Sequence, residues 1–316
     1  MITIILPVRN GGHYLPIAVE SVLAQSTANW RLIVLENAST DKTPGYLANL
    51  QDSRISVIPA PRSLSIEDNW GRIRELPIVG LATILGHDDV YHSDFLEGAL
   101  RDTADHPGFS LWMSHFDLID SNGDFSRSCS PMARNESATD FLRSRWLHTR
   151  DSYGTGYVFR FEDYRTTGGI PPFPNLLYAD DFLWFRLASL SGLYCSPDIR
   201  FSYRSHSTSA ARLSGPDKGI QAACIFLRNL IEIAKENSQL DTFLKNFGRR
   251  FAEHRELCFW KAQAQFAPNT RPEPILPSQE WASIRRGFPF RGTALKFFIL
   301  RLYWRFVCLL RVRRSI

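Results

Sequence analysis

The sequence predicts an α/β fold: a mostly parallel sheet flanked by helices, followed by a helical C-terminal extension. Over roughly the first hundred residues, short apolar runs alternate with polar loops and segments of helical period. Several of those runs also end in acidic residues, at the place where an open α/β sheet holds its ligands. Beyond residue 215 the periodicity is helical only.

Ile2 to Val8 reads as the first strand, and Arg9-Asn10-Gly11-Gly12 as the loop after it, its glycines permitting a tight turn or the close approach of a ligand. Leu15, Val19, Val22 and Leu23 give one apolar face to a helix over 13–25. Arg31 to Leu35 is a second strand. It is closed by a polar loop from Glu36 to Thr43, in which Ser39 or Thr40 can cap the next helix. Residues 55–59 supply a third strand, and Ser65 opens a helix that contains Asn69 and Trp70. The run Ile78 to Leu85 is a buried fourth strand ending in Gly86-His87-Asp88-Asp89. Paired acids at a strand tip either hold a hard cation or serve as turn residues before a helix over 93–105 capped by Ser93.

Phe109 to Met113 and Phe116 to Ile119 read as two short strands near the turn Ser121-Asn122-Gly123-Asp124. Ser137-Ala138-Thr139-Asp140 has the spacing of a capping box before an amphipathic helix, and residues 120–150 read as an insertion over the sheet edge. Gly168-Gly169 is a flexible loop or a simple turn. Asp180 and Asp181 begin a helix with a broad apolar face, as first-turn acids that satisfy the helix dipole or as groups with a chemical task. The polar stretch after Phe201 carries Arg204 and His206 beside a cluster of hydroxyls.

Composition narrows the function. No G-x-G-x-x-G follows the first strand and no G-x-x-x-x-G-K-[ST] occurs, which argues against a dinucleotide site and a P-loop. Nine basic residues and no acid fall in 285–316; the rest of the chain has 28 basic against 32 acidic residues, so the net charge of +5 belongs to the tail. Five scattered cysteines without a C-x-x-C pair read as reduced, buried thiols. With no basic leader and no long apolar span, a cytoplasmic protein is expected.

Pro7-Val8-Arg9-Asn10-Gly11, the segment Ala18 to Ser26, and Ile33 through Asp41 resemble the opening of family 2 glycosyltransferases of the GT-A fold, and the resemblance continues to about residue 210. It implies that the first loop and the acid after the second strand bind the nucleotide of a sugar donor. The implied substrate-binding set is Pro7, Arg9, Asn10, Glu36, Asn69, Asp88, Asp180 and Arg204. The metal-binding motif of that family usually reads Asp-x-Asp-Asp; here its first acid is Gly86, and the implied ligands of Mg²⁺ or Mn²⁺ are Asp88, Asp89 and His206. His87 reads as a loop residue or as a further ligand. Tyr178 to Leu187 resembles the family's Glu-Asp-x-x-Leu-Trp-x-Arg segment, with Asp181 in the place of the catalytic base.

The activity so implied is inverting transfer of a sugar from a nucleoside diphosphate sugar, a UDP-sugar, to a hydroxyl-bearing glycan or lipid-linked acceptor in cell-surface polysaccharide synthesis. The alternative is a non-catalytic nucleotide-sugar or glycan-binding protein on a transferase scaffold, suggested by Gly86 and Asp180. A nucleotidyltransferase would need a glycine-rich basic loop that Arg9-Asn10-Gly11-Gly12 does not match. The expected divisions are a catalytic domain over 1–212, helices over 213–266, a proline-rich linker over 267–291 and a basic amphipathic helix over 292–316. That last helix reads as lying in a membrane surface, docking on the protein's own core or contacting nucleic acid. Cations among Phe, Leu and Trp favour the cytoplasmic face of a membrane, and no nucleic-acid module supports the last reading.

Overall fold

Ile2–Val8 forms β1 at the middle of a sheet in a computed structural model that describes residues 1–206, 214–266, 278–290 and 294–313. Every residue of β1 is buried, as expected of a strand covered on both faces. It pairs in parallel with β2 (Trp30–Glu36) on one side and β4 (Leu81–Ile84) on the other, and β3 (Ile55–Pro59) extends the sheet beyond β2. Between them run α1 (Tyr14–Leu23), α2 (Thr43–Ala48) and α3 (Ile66–Gly71). The register sets Val8 opposite Glu36 and Ile5 opposite Ile84, so the loops after these strands open on one edge.

The second half of the sheet is mixed. After β5 (Val90–Tyr91) and α4 (Phe95–Asp105) come β6 (Leu111–Ile119), β7 (Phe125–Ser128), β8 (Asn135–Glu136), α5 (Ala138–Leu147), β9 (Tyr157–Arg160), α6 (Phe161–Thr166), α7 (Ala179–Ser191) and β10 (Leu193–Arg204). The strand order is β3-β2-β1-β4-β9-β6-β10-β5, with β7 on β6 and β8 on β10. β10 runs antiparallel to β5 with Ser202 opposite Val90, which brings the end of β10 against the Asp88–Asp89 turn. The GT-A type α/β fold expected from sequence is therefore the one adopted.

Several local expectations change. The two strands foreseen over 109–119 are one, because His115 is satisfied inside the sheet by Ser196 O at 2.8 Å and Met132 N at 3.1 Å and does not break it. The fourth strand starts only at Leu81, after Gly80 at φ 87°. Neither Ser39 nor Thr40 caps α2, and Ser93 does not cap α4. Ser65 caps α3, and Ser137 with Asp140 forms the capping box of α5. Cys129, Cys195 and Cys224 are buried, but Cys258 is exposed.

The chain divides into two compact units, one of residues 1–172 and 179–209 and one of 173–178 and 210–316. The second holds α8 (Pro216–Ala234), α9 (Ser238–Phe266), α10 (Gln279–Gly287) and α11 (Leu295–Arg313). α10 lies inside the stretch expected as linker: Ser278 caps it, and buried Trp281 donates its indole N–H to Glu256 at 3.2 Å. Pro268, Pro272, Pro274 and Pro277 lie outside the described residues. α11 packs on α9 through Arg301, whose guanidinium pairs with Glu253 at 2.6 Å and Glu256 at 3.1 Å. Arg249 and Arg285 reach the same two acids, so part of the basic tail is neutralised within its own unit.

Candidate active site

The loops after β1 and β2 are stitched together by side-chain to main-chain bonds. Asn10 N–H donates to Ser39 Oγ at 2.9 Å, and Thr40 N–H donates to Asn10 Oδ1 at 2.8 Å. Gly11 N–H reaches Thr43 Oγ1 and Gly12 N–H reaches Asp41 Oδ2, each at 2.9 Å. Asn10 stands at φ 52°, a left-handed conformation that Asn tolerates. A Cβ on Gly11 would sit 2.7 Å from Leu15 Cβ and 2.9 Å from Val8 Cγ2, so only glycine lets the loop close on α1. Glu36 is buried and accepts the N–H groups of Ala38 at 3.1 Å and Ser39 at 2.6 Å, which shapes the loop from inside.

At the tip of β4, Gly86 is followed by the acid pair. Asp88 Oδ2 lies 2.7 Å from His206 Nε2, and the Asp88 carbonyl accepts Arg204 Nε at 2.8 Å. Asp89 is buried, with Oδ1 accepting the Arg204 N–H at 2.9 Å and Oδ2 accepting the Thr155 hydroxyl. Thr155 also takes the Gly86 N–H at 2.9 Å, so one threonine pins both ends of the turn. Burial, then the Asp88 carboxylate, holds the Asp89 carboxyl well above the usual carboxylate range. Arg204 donates further to Asp120 O at 3.1 Å and lies over the Tyr14 ring at 4.8 Å.

The second acid pair opens α7. Asp181 is gripped by Arg145 of α5, with Nε to Oδ1 at 2.7 Å and Nη2 to Oδ2 at 3.1 Å. Arg145 is anchored in turn on Arg150 O at 3.0 Å. Burial and the Asp181 charge raise the Asp180 carboxyl, whose Oδ1 accepts the Asp181 N–H at 2.9 Å. Tyr203, near the end of β10, is stacked on Tyr153 with ring centroids 3.4 Å apart. Burial first, then the nearby charges of Asp89, Tyr153, Asp88 and Asp180, suppresses ionisation of its phenol. Asp88 and Asp89 of one pair and Asp180 of the other therefore bear on this phenol, although the pairs lie some ninety residues apart in sequence.

The expected residues sort unevenly. Asp88 and His206 come together at the end of β4, Asp180 and Asp181 stand in the first turn of α7, and Asn10 sits in the loop after β1. Arg9 is exposed and Pro7 is buried in β1 beside Leu35. Asn69 lies in the core instead, its amide used by Leu35 O at 3.4 Å and by Arg72 at 3.0 Å, so it has no face for a donor. Arg204 is buried and donates to the main-chain oxygens of Asp88 and Asp120. Asp89 braces the turn, its two oxygens accepting from Arg204 N–H and the Thr155 hydroxyl. Sequence reading missed Arg145, Tyr153, Thr155 and Tyr203; Thr155 between Gly154 and Gly156 was the one legible signal.

For a divalent ion the donor chemistry fits in part. A carboxylate oxygen and an imidazole nitrogen converge at Asp88 and His206, and Mg²⁺ or Mn²⁺ takes such O and N donors while keeping waters and phosphate oxygens. Among the described residues no group of three or more His, Cys, Asp or Glu converges to form a cage.

The profile of glycosyl transferase family 2 matches residues 3–166. UDP-Glc:alpha-D-GlcNAc-diphosphoundecaprenol beta-1,3-glucosyltransferase WfgD of Escherichia coli is 36% identical over 58 residues, 18% of this chain and 23% of that protein. The uncharacterized glycosyltransferase RT0329 of Rickettsia typhi is 24% identical over 210 residues, 65% of this chain and 64% of that one. These matches thus span less than two thirds of either relative's length. Among solved structures, S. aureus TarS 1-349 in complex with UDP-GlcNAc has a TM-score of 0.69 at 14% identity, covering 99% of this chain and 90% of that one. The mannosyltransferase PcManGT from Pyrobaculum calidifontis, in complex with GDP-Man and Mn2+, has a TM-score of 0.54 at 13% identity, covering 98% and 86%. The family match runs from β1 through α6, across the stitched loops and the acid turn, and the chain belongs to glycosyl transferase family 2.

Proposed function

We propose that the protein is an inverting glycosyltransferase that moves a sugar from a UDP-sugar to a hydroxyl of a glycan or lipid-linked acceptor, on the cytoplasmic face of a membrane. What supports this reading is that the family match crosses the β4 turn, where Asp88 meets His206 at 2.7 Å, and that the chain then supplies a second carboxylate, Asp181, held by the Arg145 fork at the start of α7. The choice of UDP is supported by the names of WfgD and of the TarS complex, which include UDP-Glc and UDP-GlcNAc.

In this reading the stitched loops and Asn10 receive the nucleotide, and Asp88 and His206 are the residues that would hold a divalent ion. The ion, when bound, neutralises the charge that develops on the departing diphosphate. Asp181 takes the proton of the acceptor hydroxyl as its oxygen attacks the anomeric carbon from the face opposite the leaving group, in a single displacement that inverts the centre. Arg145 fixes the carboxylate by its two nitrogens, leaving the remaining oxygen lone pairs for the acceptor. The test begins with a thermal-shift screen of nucleoside diphosphate sugars to identify the donor. Asp181→Asn should then keep donor binding and lose transfer by about 10²- to 10⁴-fold. Wild-type turnover by this variant would remove Asp181 from the role of base.

A further inference from the structure

α11 has two opposite sides of different character. Phe297, Arg301 and Arg305, at i, i+4 and i+8, form the seam toward α9: Phe297 meets the His254 ring at 4.8 Å, Arg301 enters the Glu253–Glu256 pair, and Arg305 lies over Trp260 at 5.7 Å. On the other side Leu295, Ile299, Leu302, Tyr303 and Phe306 are exposed by 43–58% each. At 3.6 residues per turn these five fall within an arc of roughly 100°. Exposed Lys296 borders the arc on the Tyr303 side, and Arg305 borders it on the Leu302 side. An apolar stripe of this size on a helix already docked by its other face is not needed for the core.

We propose that this outer face of α11 seats the protein on an anionic lipid surface. The inference rests on the peripheral-membrane reading above and names the face and the lipid chemistry. The charge pattern selects this occupant. From Trp281 to the end of the sequence there is no Asp or Glu, so the stripe carries cations on both edges with no acid of its own. A second copy meeting it about a two-fold axis would bring Lys296 and Arg305 against like charges. An anionic headgroup layer instead accepts both cations while the stripe enters the acyl boundary, with the amphipathic Tyr303 ring at the level of the headgroups.

The experiment is co-sedimentation of the full chain with vesicles of phosphatidylcholine alone and of phosphatidylcholine mixed with phosphatidylglycerol. The wild-type protein should pellet with the anionic vesicles, weakly with the neutral ones, and less as salt is raised. The double variant Ile299→Glu/Phe306→Glu should lower partitioning by roughly a hundredfold, since each apolar side chain lost from the boundary is worth about tenfold. Both positions are solvent-exposed, so its thermal unfolding should match wild type, and Asp181→Asn should bind vesicles as wild type does. Wild-type protein left in the supernatant with every vesicle would overturn the peripheral reading itself. Equal pelleting of the double variant would overturn the assignment to this face, and equal pelleting with neutral vesicles would overturn the anionic requirement. A concentration-dependent dimer abolished by the double variant would give the face to a second copy and overturn the proposal.

Discussion

Gly86 stands where the acidic motif usually has its first acid, and its lack of a side chain has a geometric reason. A Cβ there would lie 2.6 Å from Asp89 Oδ2 and 2.9 Å from Asp88 Oδ1. The space belongs to the two following carboxylates, with Thr155 closing the turn from across the cleft. Restoring the usual acid should therefore harm this protein. Gly86→Asp is expected to lower stability by roughly 1–3 kcal/mol and to reduce transfer, read by thermal unfolding and by turnover at saturating Mn²⁺. A variant with higher activity than wild type would show that the loop readjusts freely. At this scale the places of Asp88 after a strand and of Asp180 and Asp181 at a helix start were legible, because strand tips and helix starts announce themselves in hydropathy. The burial of Arg204 and Asn69 was not, since one sequence does not say which main-chain oxygens a cation or an amide will meet.

Arg145 gives the insertion between β6 and β9 a task that its sequence did not announce. α5 packs against α7, and the Arg145 fork ties the insertion to the first turn of the helix that carries the candidate base. Removing the fork frees the carboxylate to rotate and leaves a buried, unpaired acid. Arg145→Gln should lower kcat by about a hundredfold with the donor KM little changed, and Arg145→Lys should recover part of the loss. An equal loss in donor affinity would mark the contact as structural support of the whole cleft. The elements themselves were read well where polarity and period agreed, as in β1 over Ile2–Val8 and the capping box at Ser137. They were misread where polar residues are satisfied internally: β6 was read as two strands on either side of Ser114 and His115, and the prolines before residue 278 drew attention away from the capped helix behind them.

Over the whole molecule, the chain comprises two units, each with its own core. In the second, Glu253 is fully buried and faces Arg249, Arg285 and Arg301 from three helices. Glu253→Gln would strand Arg249 and leave Arg285 and Arg301 to share Glu256, and should cost about 3–5 kcal/mol in the second unit. Chemical denaturation should read that loss, while donor affinity measured by calorimetry stays as in wild type. A matching fall in donor affinity would mean that the first unit depends on this cluster for its form. The basic tail was legible as charge, but its division into paired and solvent-facing cations requires the fold, because Arg301 and Arg305 are only one turn apart. The buried Arg301 also decides how the C-terminal helix can act. If α11 swung out alone as a flexible tether, Glu253 and Glu256 would lose a charge partner in the core, so the helix can meet a surface only as part of a rigid body. Residence on such a surface is then set by the shape of the contact rather than by the reach of an arm.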